Sequence, residues 1–336
     1  MLQFHPLPAV GAGAAERAIE ADQTNLSVIV DERLVVKWLT PPVPLPQPAP
    51  EFFAHLTAVG FTETARPYAA LTSRGADGTG TLVALVTAYL PEATDGFDWC
   101  VTEAANGRTA FAADLGRLAA DLHLALATPS PTFPEPVRNG DPEGRWGTRA
   151  ATALAEALEL TGGADGEWLA RLAERLRGLV EPLGRAGRTP LIRVHGDLHV
   201  GQTLRWRDGY AVIDFDGNPT VREQDPYQPA ARDVAQLATS LEHVAQVAIK
   251  RRGADPAASV AWAARARAAL LTAYRARLAE AGKAWLLEES LLAPFEIEQE
   301  CRELIYAARH LPRWRYAPMG VLRARFGGTP ATGDTA

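Results

Sequence analysis

The sequence predicts an α+β fold of two lobes: a small β-rich lobe over residues 1–90, a large and mostly helical lobe over 91–326, and a disordered tail at 327–336. Three observations carry this reading. Short β-patterned runs fill the first lobe, and beyond Pro91 the period changes to that of alanine- and leucine-rich helices. One β-patterned stretch, 192–215, then interrupts the helices and brings a cluster of carboxylates with it. A β lobe, a short connector at Tyr89-Leu90-Pro91 and a helical lobe together describe an enzyme with a cleft.

Each element follows from local chemistry. Residues 25–39, NLSVIVDERLVVKWL, read as two β-runs joined by a charged turn at Asp31-Glu32-Arg33. The proline-rich PPVPLPQPAP after them cannot be helix interior and reads as a linker. Glu51 opens a short helix, EFFAHLTAVG, that Gly60 ends. Two more β-runs, near 65–71 and 81–90, flank the turn SRGADGTG. Helical spacing of apolar residues recurs over 102–127, 147–160, 166–184, 256–281 and 286–309, and the segment 129–146 reads as a loop.

Composition narrows the function. The net charge of −6 disfavours nucleic acid and anionic membrane as partners, since both require a basic face. Cys100 and Cys301 are too far apart for a metal-ligand spacing and read as buried thiols. The N-terminus has neither a basic region nor a long apolar run, and no stretch reaches the roughly 18 apolar residues of a membrane span, so a cytoplasmic protein is expected. Monomer and homodimer both remain open. A hydrolase reading finds no G-x-S-x-G elbow and no nucleophilic cysteine context.

The chemistry concentrates between His195 and Asp216. Asp197 follows the strand-like LIRV and a His-Gly pair, where a loop can hold a side chain for reaction. Gln202 offers a neutral oxygen. Asp214 ends the apolar run YAVI, where burial selects against a charge unless a cation compensates it. Asp216 offers a second metal contact or a substrate partner. Taken singly, each also suits a structural role, and a lone histidine such as His195 is more often a hydrogen-bonded brace than a base. Together the carboxylates and the amide suit magnesium, which needs only one or two carboxylates besides nucleotide phosphates.

These motifs, HGDLHVGQ and VIDFDGNP, resemble those of the aminoglycoside phosphotransferase-like branch of the protein-kinase-like superfamily, with maltokinases and actinobacterial glucosamine kinases nearest. The resemblance runs from NLSVIV to LPRW. It implies a bilobal kinase-like fold, ATP and magnesium (Mg2+) as cofactors, Asp197 as the catalytic residue, and Gln202 and Asp214 as metal ligands. It further implies that Asp233, in ARDVAQLA, braces the catalytic loop. Lys37 would contact the α- and β-phosphates with Glu51 as its helix partner, and the phosphate-covering turn would lie near Asp22–Ser27. Backbone groups of Tyr89 and Leu90 would meet the adenine.

The segment FEIEQECRELIYAARHLPRW suggests the acceptor. Glu296, Glu300 and Glu303 share one helical face, and Glu298 lies on another stripe. Such a cluster requires water or a cation, so Glu298, Glu300 and Glu303 are expected to line an acidic sugar pocket, with Trp314 stacking on a pyranose. Set beside the maltokinase helix, the chain keeps Phe295, Glu296, Glu298, Glu303 and Tyr306 but carries Glu300 and Arg302 where that family has alanine and tyrosine. The added carboxylate favours an acceptor bearing an ammonium group. The resemblance therefore implies a small-molecule amino-sugar acceptor, glucosamine, phosphorylated at O6. Maltose 1-phosphorylation and aminoglycoside phosphorylation are the nearest alternatives, and a nucleotide-binding pseudokinase is the reading from another class.

Overall fold

Two charged residues in left-handed conformation, Asp31 (φ 54°) and Glu32 (φ 49°), turn the chain between the strands that build the small lobe. The computed structural model describes residues 1–19, 25–140, 145–185, 187–218 and 226–327; the expected tail beyond Gly327 lies outside them. Strands β1 (Leu2–Gln3), β2 (Glu16–Ala18), β3 (Leu26–Val30) and β4 (Leu34–Pro44) precede helix α1 (Pro48–Val59), and β5 (Pro67–Arg74) and β6 (Gly80–Ala88) follow it. Among the described residues these strands form an antiparallel sheet in the order β1-β5-β6-β4-β3-β2.

The proline-rich segment differs from the expected linker. β4 continues through Pro44 across a register shift between Trp38 and Val43. Helix α1 begins at Pro48 rather than Glu51, because prolines fit a first turn whose N–H groups lack intrahelical partners anyway. Gly60 ends the helix at φ 75°, as the sequence suggests.

In the large lobe the expected 102–127 helix is two helices. Gly107 (φ 67°) separates α2 (Gly96–Ala105) from α3 (Ala110–Leu126). Strand β7 (Val137–Gly140), helices α4 (Arg145–Leu160) and α5 (Gly163–Val180), and strand β8 (Thr189–Arg193) come next. The hairpin β9 (Thr203–Trp206) and β10 (Gly209–Val212) and the short β11 (Tyr227–Gln228) lead to α6 (Ala230–Arg252). Helices α7 (Pro256–Glu280), α8 (Leu292–Arg309) and α9 (Tyr316–Phe326) complete the lobe. α6 is buried on nearly all sides and packs against α2, α7, α8 and α9. None of these helices is long and apolar enough to cross a membrane.

The lobes meet along β10. Thr64 Oγ1 donates to the Val212 carbonyl at 2.7 Å, and the Val212 N–H donates to the Glu63 carbonyl at 2.9 Å. Phe52 and Phe53 of α1 pack on Phe215 with ring centroids 5.4 and 6.3 Å apart. Apolar burial therefore fixes the turn that follows β10 to the small lobe. On its other side, α2 approaches the loop before β9 so closely that a Cβ on Gly96 would stand 1.5 Å from the Val200 carbonyl oxygen. Gly96→Ala is expected to lower stability by about 1–3 kcal/mol through overpacking. Gly178→Ala, in open space on α5, is expected to raise it by about 0.5–1 kcal/mol. Denaturant unfolding of the two variants checks both signs.

Candidate active site

A single carboxylate organises the loop after β8. Asp233, in the first turn of α6 and wholly buried, accepts from the backbone N–H groups of His195 (2.7 Å) and Gly196 (2.9 Å). It also accepts from His123 Nε2 at 3.2 Å. Gly196 at φ 82° supplies the left-handed turn that aims both N–H groups at one side chain. His195 Nδ1 accepts from the Asp197 N–H (3.3 Å), so its proton sits on Nε2, which donates to the Ile213 carbonyl (2.9 Å). Both ring nitrogens are committed, and His195 is a brace.

Asp197 is held on one side only. Its Oδ1 accepts from Gln236 Nε2 (2.7 Å) and Asn218 Nδ2 (3.0 Å). Oδ2 has no hydrogen bond among the described residues, and His199 Nε2 stands 3.8 Å away. Gln236 and Asn218 were not singled out from the sequence. The one available signal was that Gln236 lies one helical turn beyond Asp233 on the same helix.

Two cavities open on this loop. One, of about 620 Å³, lies between the lobes and takes in Ser27, Lys37, Tyr89, Leu90, Gln202, Asp214 and Asp216. The other, of about 490 Å³, lies in the large lobe and takes in Asp197, Gln236, His243, Gln299, Glu303 and Trp314. Successive residues of the same segments serve different cavities: Asp197 and His199 against Gln202, and Asn218 against Asp214 and Asp216.

In the inter-lobe cavity Lys37 Nζ donates to Asp214 Oδ1 and to Asp216 Oδ2, each at 2.7 Å. Burial opposes all three charges. The two carboxylates nevertheless hold the ammonium above its ordinary value. Lys37 in turn pulls Asp214 below the usual carboxylate range. Asp216, also buried and facing the Asp214 charge, is pushed up. Asp214 is itself left-handed, at φ 65°.

Several expectations need correction. Glu51 does not meet Lys37; it pairs with Arg193 of β8 at 2.7 Å. Asp216 belongs with Lys37 and does not line the large-lobe cavity. The Tyr89 N–H is taken by the Arg33 carbonyl (2.9 Å), so this backbone donor is not free for a base, while Leu90 forms buried cavity wall. Ser27 sits opposite Lys37 in the β3–β4 register and lines the cavity, whereas residues 22–24 of the expected phosphate-covering turn lie outside the described residues.

The α8 carboxylates divide. Glu298 is fully buried and neutralised by Arg232 (2.9 Å) and Arg302 (2.7 Å). Glu300 is fully buried against His243 Nε2 (3.1 Å). Neither lines the cavity; Arg232 and His243 on α6 and Arg302 on α8 itself hold them inside. Glu303 does line it, held by Trp314 Nε1 (2.7 Å) and Gln299 Nε2 (3.0 Å).

The chain is similar to known proteins over most of its length. The model of a phosphotransferase enzyme family matches residues 16–217. The chain is 44% identical to a glucosamine kinase of Streptacidiphilus jiangxiensis, over 90% of this chain and 72% of that protein. It is 40% identical to a glucosamine kinase of Mycolicibacterium smegmatis, over 92% of this chain and 79% of that one. A solved structure of a glucosamine kinase in complex with glucosamine, ADP and inorganic phosphate superposes with a TM-score of 0.81 at 41% identity, covering 91% of this chain and 79% of that chain.

The Asp233 hub sets a pH signature. Burial alone would raise its carboxyl, but the hydrogen bond from His123 and the Gly196 N–H hold it below the ordinary range. Its contribution is therefore present above the unfolded pKa and lost as pH falls through the lower folded value. Asp233→Asn is expected to cost about 3 kcal/mol at neutral pH by breaking a buried charged network. The gap from wild type should shrink on acidification below about pH 4. Denaturant unfolding across that range measures it.

Proposed function

The chain belongs to the phosphotransferase enzyme family, and from that premise we propose that it transfers the γ-phosphoryl group of ATP to glucosamine, at O6. The observation that carries this reading is the half-held carboxylate of Asp197. Gln236 and Asn218 fix Oδ1, which leaves Oδ2 toward the cavity where an acceptor hydroxyl can approach. The Lys37–Asp214–Asp216 cluster lines the adjoining cavity, where a nucleotide fits.

The reaction is largely positioning and charge neutralisation, since the transition state of phosphoryl transfer is loose. As the acceptor O–P bond forms and the bond from the γ-phosphorus to the β-bridging oxygen breaks, Asp197 Oδ2 takes the hydroxyl proton. Lys37 steadies the phosphates. Asp214 and Asp216 together outweigh the single ammonium they share, so this corner carries surplus negative charge suited to a second cation. Gln202 and Asp214 supply the hard oxygen donors that magnesium prefers, and no cage of three or more acidic, histidine or cysteine ligands is found among the described residues. Bound there, magnesium supplies charge neutralisation to the nucleotide phosphates.

In the acceptor cavity, Glu303 is the α8 carboxylate available to an ammonium group, and Trp314 both fixes it and offers a ring face to the sugar. The glucosamine kinases at 40–44% identity support this acceptor.

Release of ADP measured with glucosamine, glucose, maltose and several aminoglycosides tests the assignment. Glucosamine is expected to give the highest kcat/KM, and preference for any other acceptor would overturn it. Asp197→Asn is expected to lower kcat about 10³-fold, the usual scale of a lost general base, while ATP binding is retained. A near-wild-type rate in that variant would remove Asp197 from the chemistry.

A further inference from the structure

We infer that Glu300, although walled off from the acceptor cavity, is a positioning residue for the acceptor and acts through His243; this rests on the glucosamine reading above. Glu300 Oε2 accepts from His243 Nε2 at 3.1 Å, with both side chains buried. A carboxylate only accepts, so the proton on Nε2 is fixed and Nδ1 becomes the nitrogen in play. Nδ1 has no hydrogen bond to the described residues, and His243 lines the acceptor cavity beside Gln236 and Ser240. The Trp314 ring stands 5.7 Å away, nearly edge-on, and limits the angle of the imidazole.

The other oxygen of Glu300, Oε1, is buried with no hydrogen-bond partner. A buried carboxylate satisfied at one oxygen needs a nearby positive charge. His243 supplies it. Burial works against the imidazolium, but Glu300, with Glu303 and Glu242, holds His243 up at about 9. The charges acting on the ring are Glu242 on its own helix and Glu300 and Glu303 on α8, with Arg325 of α9 against Glu300. The cavity it lines also carries Arg251 and Arg252 on α6, Arg302 on α8, Asp98 on α2, and Asp197 and His199 on the loop. At neutral pH Nδ1 then carries a proton and donates into the cavity.

That donor discriminates within the acceptor. It favours a sugar hydroxyl or ring oxygen and repels an ammonium. The amino group of glucosamine is thereby turned away from His243 and toward Glu303. Glu300 thus sets which way round the amino sugar sits without touching it.

The test uses the full chain. Nitrogen-15 NMR of labelled histidine is expected to show wild-type His243 titrating near about 9. Glu300→Gln keeps the volume and an acceptor oxygen for Nε2–H but removes the charge. It is expected to return the titration to the ordinary histidine range and to raise KM for glucosamine about tenfold, the scale of one charge-assisted hydrogen bond, with kcat and KM for ATP unchanged. In His243→Asn, whose amide nitrogen takes the Nδ1 position without a titrating ring, adding Glu300→Gln is expected to change nothing further. An equal KM rise in both backgrounds would show that Glu300 acts through packing alone and would overturn the inference. If Glu300→Gln does not fold, wild-type His243 titrating in the ordinary range overturns it by itself. Failure of the wild type to phosphorylate glucosamine strikes the acceptor assignment instead, since the titration is read without an acceptor.

Discussion

The constraint on which the site depends is the satisfaction of one solvent-free carboxylate. Asp233 has no water to turn to, so its oxygens must be met by protein donors, and two of those donors are the backbone of the catalytic loop. Because Asp233 sits in the first turn of α6, a deeply buried helix of the large lobe carries the loop. The same helix extends Gln236 to Asp197 and His243 to the acceptor cavity. One helix therefore ties the loop, Asp197 and the cavity wall together, an arrangement suited to a reaction that works by positioning.

The small lobe is joined to this body differently. Its contacts are the apolar seat of Phe215 under α1 and the hydrogen bonds between Thr64, Glu63 and Val212, with Lys37 reaching across to Asp214 and Asp216. The apolar contacts hold the turn while the polar trio remains open to the cavity. A phosphate chain entering there competes for the same ammonium, so the ion pairs are interactions a nucleotide can replace. The left-handed Asp214 fits this division: an aspartate tolerates that conformation better than a branched residue, and the turn presents both carboxylates to one cavity.

How much of this was legible depended on sequence distance. The order of Asp197, Gln202 and Asp214 could be read because the loop and hairpin that arrange them are contiguous, and Asp233 came from the likeness of its helix. The role of α6 beyond that residue could not be read from the sequence, because Gln236 and His243 meet partners on other elements, Asp197 and Glu300. The fates of Glu298 and Glu300 were hidden for a related reason. A helical projection places carboxylates on a face but does not say what faces them. Their partners Arg232 and His243 lie 66 and 57 residues earlier, on α6. The proline-rich stretch misled in another way: helix chemistry excludes proline from interiors, and both β4 with its register break and the first turn of α1 escape that exclusion.

Glu296, Glu298 and Glu300 of α8 are buried with cationic partners beneath the large-lobe cavity. Glu298 lies between Arg232 and Arg302, Glu300 against His243, and Glu296 against Arg267 and Arg325. Desolvation offsets much of the attraction in such pairs, so apolar residues of equal volume would stabilise the interface as well or better. What the pairs provide is direction. Each fixes a hydrogen-bond vector that an apolar contact leaves free, and the vectors of His243 and Arg302 end at the cavity wall. A monosaccharide presents similar hydroxyls on every side, so the wall must distinguish orientations rather than shapes. Oriented donors and one oriented carboxylate, Glu303 between Trp314 and Gln299, do this where an apolar wall could not.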